Sequence, residues 1–162
     1  MKIIVFSDSH RDLDHMRQAV EREQPDTVIH LGDHDTDAER LGREFPQLPL
    51  ICVRGNCDGW SDTPQTLTVV LGGVRFFLCH GHTYGVKASP LRAIYAAREN
   101  KADILCFGHT HEALLDQTMD SPVVLNPGSC GYSYRPSYAV VQTLPGGHFD
   151  VFLRDCDGEA LS

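Results

Sequence analysis

The chain has 162 residues, of which 41% are hydrophobic and 22% are charged, and these values indicate one globular domain of ordinary composition. No stretch approaches the roughly 20 apolar residues of a membrane span. The formal net charge is −8 and the basic residues form no cluster, which disfavours general binding to DNA or RNA. We therefore expect a single domain over residues 1–162 that uses neither a membrane nor long nucleic acid as a partner.

The N-terminus and the cysteines bear on cellular location. The apolar run that precedes Ser7 is too short for the core of a signal peptide. The six cysteines include no CxxC pair, and Cys52, Cys79 and Cys106 lie within apolar runs, where cysteine behaves as a small hydrophobe. We expect reduced thiols and a cytoplasmic protein.

The first half of the chain alternates strands with helices. Leu13, Met16 and Val20 recur at helical spacing, and Pro25 ends that pattern. The predicted strands are residues 3–6, 27–31 and 50–53, and the predicted helices are residues 13–24 and 37–45. This alternation is typical of βαβ units in a largely parallel sheet.

The second half is richer in strands. Gly72 and Gly73 separate two β-patterned runs and predict a hairpin, while Ser89 and Pro90 predict the N-cap and first turn of a helix over residues 89–100. The predicted strands are residues 66–71, 74–79, 104–107, 113–117, 123–125, 138–141 and 149–153. We expect an α/β fold in which two sheets pack face to face with helices outside.

Five of the predicted strands are followed directly by Asp, Asn or His. In open α/β sheets, ligands bind beyond the carboxyl ends of the strands, so these side chains are candidates for one site. In an extended chain, His109 and His111 would point to the same side. The candidates, in strand order, are Asp8 and His10, Asp33, Asn56, His80, and His109 with His111.

These residue types suit divalent metal ions. Imidazole and carboxylate ligands accept several transition metals, and two ions about 3.5–4 Å apart can clamp a phosphate and activate a water. Each residue also has an ordinary interpretation: an Asp after a strand is often a turn residue or helix cap, Asn56 could form a turn, and His80 could be an interior histidine. Five coincident strand ends favour the metal site.

The blocks D-x-H, GD, GN, HGH and GHTH, in this order, resemble the calcineurin-like metallophosphoesterases. The GNCD form is most similar to the compact bacterial and archaeal phosphodiesterase branch, the YfcE-like group. The resemblance covers nearly the whole chain, from Asp8 through residues 126–129. It implies a four-layer αββα sandwich of two mixed sheets flanked by helices, with the metals at one edge of the sheets.

The resemblance also implies a dinuclear centre of manganese, nickel, zinc or iron, with manganese favoured. A hydroxide held between the ions would attack the phosphorus of a small phosphodiester, and the ions would neutralise the charge that builds on its oxygens. Asp33 would bridge the two ions. The first ion would be held by Asp8, His10, Asp33 and His111, and the second by Asp33, Asn56, His80 and His109.

One position departs from the family pattern. Cys57 stands where many relatives have a histidine that protonates the leaving group, and a thiol is a poor replacement. His82 and His34 are candidates for that role, although a hydrogen-bonding or surface role is the alternative for both. The other alternative is that no acid is needed, which would favour substrates with good leaving groups. Asp58 is expected to orient a ligand or a water.

The resemblance places residues 126–129 at the border of the site. Asn56 and Arg135 are candidate substrate contacts, Arg135 as a clamp on two phosphate oxygens or as an ordinary solvated arginine. Tyr132 and Tyr134 could frame a leaving group, or pack against the core.

Phosphodiesterase activity is the leading functional hypothesis. A phosphomonoesterase acting on nucleotides or proteins would use the same ligands. A non-catalytic scaffold, like the retromer subunit that shares this fold, is a third hypothesis, because a fold can outlast its site. A nuclease is disfavoured by the net charge, and assembly as a homo-oligomer stays open.

Overall fold

The computed structural model describes residues 1–118, 122–131 and 133–161. The helices are α1 (Leu13–Glu23), α2 (Asp35–Glu44) and α3 (Leu91–Glu99), with short 3-10 turns at His82–Tyr84 and Pro145–Gly147. The strands are β1 (Lys2–Phe6), β2 (Thr27–His30), β3 (Leu50–Cys52), β4 (Thr66–Leu71), β5 (Val74–Cys79), β6 (Ile104–Cys106), β7 (Ala113–Asp116), β8 (Val123–Pro127), β9 (Ser137–Thr143) and β10 (Phe149–Asp155).

The strands form two mixed sheets of five strands each. The first sheet has the order β10-β9-β1-β2-β3, with β1, β2 and β3 parallel and with β9 and β10 added antiparallel. The second has the order β4-β5-β6-β8-β7, with β5, β6 and β8 parallel and an antiparallel strand at each edge. The predicted βαβ units and the hairpin at Gly72 and Gly73 are confirmed.

Side-chain alternation along the strands produces three cores. Ile3 and Val5 of β1 face the second sheet and pack with residues such as Phe76. Ile4 and Phe6 point the other way, into a core that also contains α1 and α2 side chains. A third core lies between the second sheet and α3. The layers are therefore helices, sheet, sheet and helix, which confirms the predicted αββα sandwich.

Two helix starts differ from the sequence prediction. Helix α2 begins at Asp35 rather than at residue 37, because the backbone amides of residues 33–35 are fixed by the Asp58 carboxylate, a contact from a distant segment. Helix α3 begins at Leu91, with Pro90 as the residue before it. Ser89 still accepts a hydrogen bond from the Leu91 amide, at 3.3 Å.

Within the part of the chain that the structure describes, every helix is too short or too polar to cross a membrane.

Candidate metal centre

The loops that follow β1, β2 and β6 have an unusual backbone. Five of the seven predicted metal ligands adopt positive φ angles, which side chains other than glycine rarely do and which concentrate at functional sites. The residues and angles are Asp8 at 54°, His10 at 45°, Asp33 at 59°, His109 at 68° and His111 at 62°. The left-handed turns bend each loop sharply across the sheet edge.

Asp8, His10 and His111 form the first ligand group. Each offers one nitrogen or oxygen atom, and the three atoms lie within 4.8 Å of one another. The Nε2 atoms of His10 and His111 are 3.3 Å apart, and Oδ1 of Asp8 lies 3.2 Å from Nε2 of His111. Asp8 is fully buried, whereas the two histidines are partly exposed, so the group opens to solvent on one side.

Asp33, His80 and His109 form the second ligand group, and their donor atoms also lie within 4.8 Å of one another. Nε2 of His80 lies 3.4 Å from Oδ1 of Asp33 and 3.1 Å from Oδ1 of Asn56. Nδ1 of His80 is 2.9 Å from the Leu31 carbonyl oxygen, which can only accept a hydrogen bond. In the neutral ring Nδ1 therefore carries the proton, and Nε2 keeps a lone pair for a metal.

These distances fit divalent metal ions. Around a tetrahedral ion with bonds of about 2.0–2.1 Å, neighbouring donor atoms lie about 3.3 Å apart, which matches the four separations above. Oδ1 of Asp8 is buried and, among the described residues, has no hydrogen-bond partner of acceptable geometry. It lies 3.9 Å from Nε2 of His80, so the two groups adjoin. A buried carboxylate oxygen without a partner fits a metal ligand.

Charge and burial set the protonation of three of these ligands. Burial would raise the pKa of the Asp8 carboxyl, but the close polar contact with His111, the charge of His80 and the hydrogen bond from Ser7 outweigh it and lower that pKa. Burial lowers the pKa of His109 to about 4, so its ring is neutral at pH 7. The same polar contact raises the pKa of His111, which favours the protonated ring.

Asp58 clamps the loop that carries Asp33. Its carboxylate is buried and accepts hydrogen bonds from the backbone amides of Asp33, His34, Asp35 and Gly55, at 2.7–3.1 Å. Four donors occupy its two oxygens, and these hydrogen bonds fix the backbone that carries Asp33. These contacts are consistent with the predicted orienting role of Asp58, and all four of them are to backbone amides.

Three further buried side chains support the first group: Ser9 and Asp37, which the sequence analysis did not identify, and Ser129, which lies in the segment that the resemblance placed at the border of the site. Asp37 accepts hydrogen bonds from the Ser9 hydroxyl at 2.8 Å and from the Arg11 amide at 2.7 Å, which ties the β1 loop to α2. The Ser129 hydroxyl donates to the Asp8 carbonyl at 2.7 Å. The run of polar residues in S-D-S-H at residues 7–10 was the signal for Ser9, and it does not show which partner each residue meets.

His109 and His111 do not share a side, contrary to the extended-chain prediction. Both follow β6 with left-handed backbone, and the turn sends His109 to the second group and His111 to the first. Asn126 holds this turn by donating hydrogen bonds to the Gly108 carbonyl at 3.2 Å and to the Thr110 hydroxyl at 2.9 Å. One short loop thus supplies both groups.

The two candidate acids lie beside different ligand groups. The His34 ring is 5.1 Å from the His10 ring, and the His82 ring is 5.4 Å from that of His80. Nδ1 of His82 is buried and has no partner among the described residues, and burial lowers the pKa of this ring. Cys57 is exposed as a residue, but its thiol is partly buried. This partial burial and the nearby Asp33 raise the pKa of the thiol to about 11.

The structure does not bring Arg135 into contact with either group among the described residues. Its guanidinium donates two hydrogen bonds, at 2.8 and 3.1 Å, to Oδ2 of Asp155, the last residue of β10. A role as phosphate clamp would require that pair to open. Tyr134 is fully exposed and packs on no core, and Tyr132 lies outside the described residues.

Sequence comparison gives a consistent picture. Residues 1–145 match the model of the calcineurin-like phosphoesterase superfamily domain. The chain is 32% identical to the probable metallophosphoesterase YsnB of Bacillus subtilis, over 80% of this chain and 75% of that protein. It is also 32% identical to phosphodiesterase MJ0936 of Methanocaldococcus jannaschii, over 94% of this chain and 99% of that protein.

Structural comparison agrees. A predicted phosphoesterase from Streptococcus pneumoniae superimposes with a TM-score of 0.82 at 28% identity, covering 99% of this chain and 92% of that one. YfcE of Escherichia coli superimposes with a TM-score of 0.72 at 23% identity, covering 100% and 97%. Vps29 of Entamoeba histolytica, in complex with zinc, superimposes with a TM-score of 0.68 at 22% identity, covering 96% and 99%. The last two likenesses concern the fold alone.

Gly108 tests the packing of the first group. A β-carbon there would overlap the Ser7 hydroxyl and come within 2.6 Å of Oδ2 of Asp8. We expect Gly108→Ala to displace Asp8 and to weaken divalent-ion binding at least tenfold in a calorimetric titration, with the fold retained by circular dichroism.

Gly42→Ala is the matched control for that substitution. Gly42 lies within α2 with open space around it, so the added methyl should leave ion binding unchanged and stabilise the helix by about 0.5–1 kcal/mol. Equal ion affinity in Gly108→Ala and the wild type would contradict the packing argument.

Buried histidines predict acid sensitivity of the metal-free protein. Burial lowers the pKa of fully buried His30, so below pH 6.5 the unfolded chain binds a proton that the folded chain does not. The folded state then loses stability as the pH falls through that range. Burial lowers the pKa of His10, His82 and His109 in the same sense, and only the raised pKa of His111 opposes it.

We expect the free energy of unfolding, measured with urea on metal-free protein, to be lower at pH 5 than at pH 7 by at least ~1 kcal/mol. The lowered pKa of Asp8 does not contribute in this window, because its effect appears only near and below pH 3.8. Constant stability between the two pH values would mean that these rings are not buried as described.

Proposed function

Because the chain belongs to the calcineurin-like phosphoesterase superfamily, we propose that it is a metal-dependent phosphodiesterase that hydrolyses a small phosphodiester at the two ligand groups. The observation that carries the proposal is the convergence of the two adjoining groups, with donor atoms 3.1–3.4 Å apart. A pair of divalent ions, when bound, supplies neutralisation of phosphoryl charge and activation of water. We favour manganese, within a set that includes nickel, zinc and iron.

The protein's own contribution is positioning. Asp8 is aimed into the first group because the His109 amide, at 3.0 Å, and the Ser7 hydroxyl engage its other oxygen. Asp33 is fixed through its amide by Asp58 and through Oδ1 by the Cys57 amide, at 2.9 Å. We propose that Asp33, which lies in the second group, would also help to hold an ion at the adjoining first group. Preorganised ligands of this kind stabilise charge without a cost of reorganisation during reaction.

The open side of the centre would receive the substrate. A cavity of about 330 Å³ adjoins the second group and is lined in part by Arg54, Asn56 and His82. We assign Asn56 to the second ion and to one phosphoryl oxygen, and we assign proton delivery to the leaving oxygen to His82 or His34.

A diester is favoured over a monoester by the relatives. MJ0936 is named a phosphodiesterase and aligns with nearly the whole chain. A scaffold function, by analogy with Vps29, is supported only by the fold, and all seven predicted ligand side chains are retained here. We also expect the protein to act in the cytoplasm, and the oligomeric state is a separate question.

The direct test is turnover of bis(p-nitrophenyl) phosphate by metal-free protein supplied with each of the four metals, with and without chelator. We expect activity that requires metal and that exceeds activity on p-nitrophenyl phosphate. Asp33→Asn should lower the rate by at least ~100-fold while keeping the fold, because the amide oxygen still accepts the Cys57 amide but bridges ions poorly.

Asp157→Asn is the control, since it removes an exposed carboxylate elsewhere on the surface. It should retain the wild-type rate. Near-wild-type activity of Asp33→Asn, or turnover that survives complete removal of metal, would refute the proposed mechanism, and a preference for the monoester would assign the phosphatase activity instead.

A further inference from the structure

Arg11 occupies an unusual position beside the first ligand group. It directly follows His10, so their Cα atoms are about 3.8 Å apart. Its backbone is left-handed, with φ at 74°, and its amide donates to Oδ2 of buried Asp37 at 2.7 Å. Because a buried carboxylate holds the strained backbone of Arg11, the side chain starts from a fixed position. Backbone strain of this kind concentrates at functional sites.

The guanidinium of Arg11 is exposed and, among the described residues, has neither a hydrogen bond nor an ion pair. Its neighbours differ in this respect. Arg17 donates to Asp14 at 2.5 Å and to Glu44 at 2.6 Å, and both acids are thereby neutralised. Arg40 lies 3.7 Å from Asp37. Arg11 is thus the unpaired cation on this flank of the described structure.

A cavity of about 390 Å³ opens in front of this side chain. Two carboxylates line it: Asp12 accepts from the His15 amide as the N-cap of α1 and lies 3.0 Å from the His15 ring, and Asp14 is paired with Arg17. The cavity therefore adjoins the first ligand group and presents a free guanidinium. It is lined by His10, Arg11, Asp12, Leu13, Asp14, Arg17 and Arg40.

We propose that Arg11 binds a second anionic group of the substrate, so that the preferred substrate is a phosphodiester that also carries a terminal phosphate. This inference rests on the proposed function, because the scissile phosphodiester is taken to lie on the ligand groups. A planar guanidinium pairs with two phosphate oxygens at once, which suits it to a terminal phosphate. In a chain of net charge −8, an unpaired cation beside the centre is a specific attraction for such a group.

The kinetic test uses two chromogenic diesters that differ by one phosphate: the p-nitrophenyl ester of thymidine 5′-phosphate, and the same compound with an added 3′-phosphate. In both, water adds to phosphorus and the bond to p-nitrophenolate breaks, which releases one proton. We expect the added phosphate to lower KM about tenfold or more in the wild type. Arg11→Gln should abolish that preference and leave kcat on the simpler ester unchanged.

The control is Arg92→Gln, which removes one exposed positive charge from α3, on the far side of the second sheet, and should keep the preference. Loss of the preference in both variants would indicate a general charge effect and would overturn the proposal. So would a wild type without preference, or an Arg11→Gln variant that retains it.

A binding measurement separates this inference from the proposed function. Equilibrium dialysis of thymidine 3′,5′-diphosphate and thymidine 5′-phosphate requires no turnover. Tighter binding of the diphosphate by the wild type, lost in Arg11→Gln, would support the anion site even if neither ester is hydrolysed, in which case only the phosphodiesterase proposal fails. Equal binding of both nucleotides by the wild type would overturn the anion site.

Discussion

Four backbone amides converge on the buried carboxylate of Asp58, and the candidate centre depends on constraints of this kind. Left-handed backbone is unfavourable at aspartate and histidine, so the strand-end loops need contacts that hold them. Asp58 holds the loop of Asp33, Asp37 holds the loop of His10, and Ser129 holds the carbonyl of Asp8. Buried carboxylates that are saturated with N–H donors are strong, charge-assisted clamps.

The packing of the two sheets explains why loops that carry the candidate ligands come together. Parallel strands β1, β2 and β3 of one sheet and β5 and β6 of the other end at the same edge, so loops that are far apart in sequence become neighbours. The Gly108 amide donates to the His80 carbonyl, and the Asp8 amide donates to the Gly32 carbonyl, both at 3.0 Å. These bonds extend each ladder past its strands, and the hydrogen bond from the His109 amide to Oδ2 of Asp8 joins the loops of the two sheets into one rim.

The layers of the fold, and the place of the candidate site beyond the strand ends, could be predicted from sequence because both depend on the periodicity of the strands and helices. Alternation at residues 3–6 and helical spacing at Leu13, Met16 and Val20 are local, and each points to a buried face. The helix starts at Asp35 and Leu91 could not be predicted from sequence. The start of α2 lies where a carboxylate from a distant segment fixes its amides. The candidate ligands were recognisable by type and place.

Their division between two groups did not follow from spacing or periodicity, and only the resemblance to the family implied it. An extended chain would put His109 and His111 on one side, whereas φ angles of 68° and 62° separate them. Nothing local predicts these angles, because Asn126 and Asp8, from other strands, impose the turn. For the same reason the sequence did not indicate Arg11 as a functional residue. What sets it apart is a strained backbone and an unpaired guanidinium beside a cavity, and both are features of the folded chain.

The central claim is that the rim presents two adjoining sites for divalent ions. The measurement that tests it most directly is the number of ions bound per chain, obtained by dialysing metal-free protein against manganese and then measuring protein-bound metal by elemental mass spectrometry. The account predicts two ions per chain. Saturation with one ion, or with none, would contradict it.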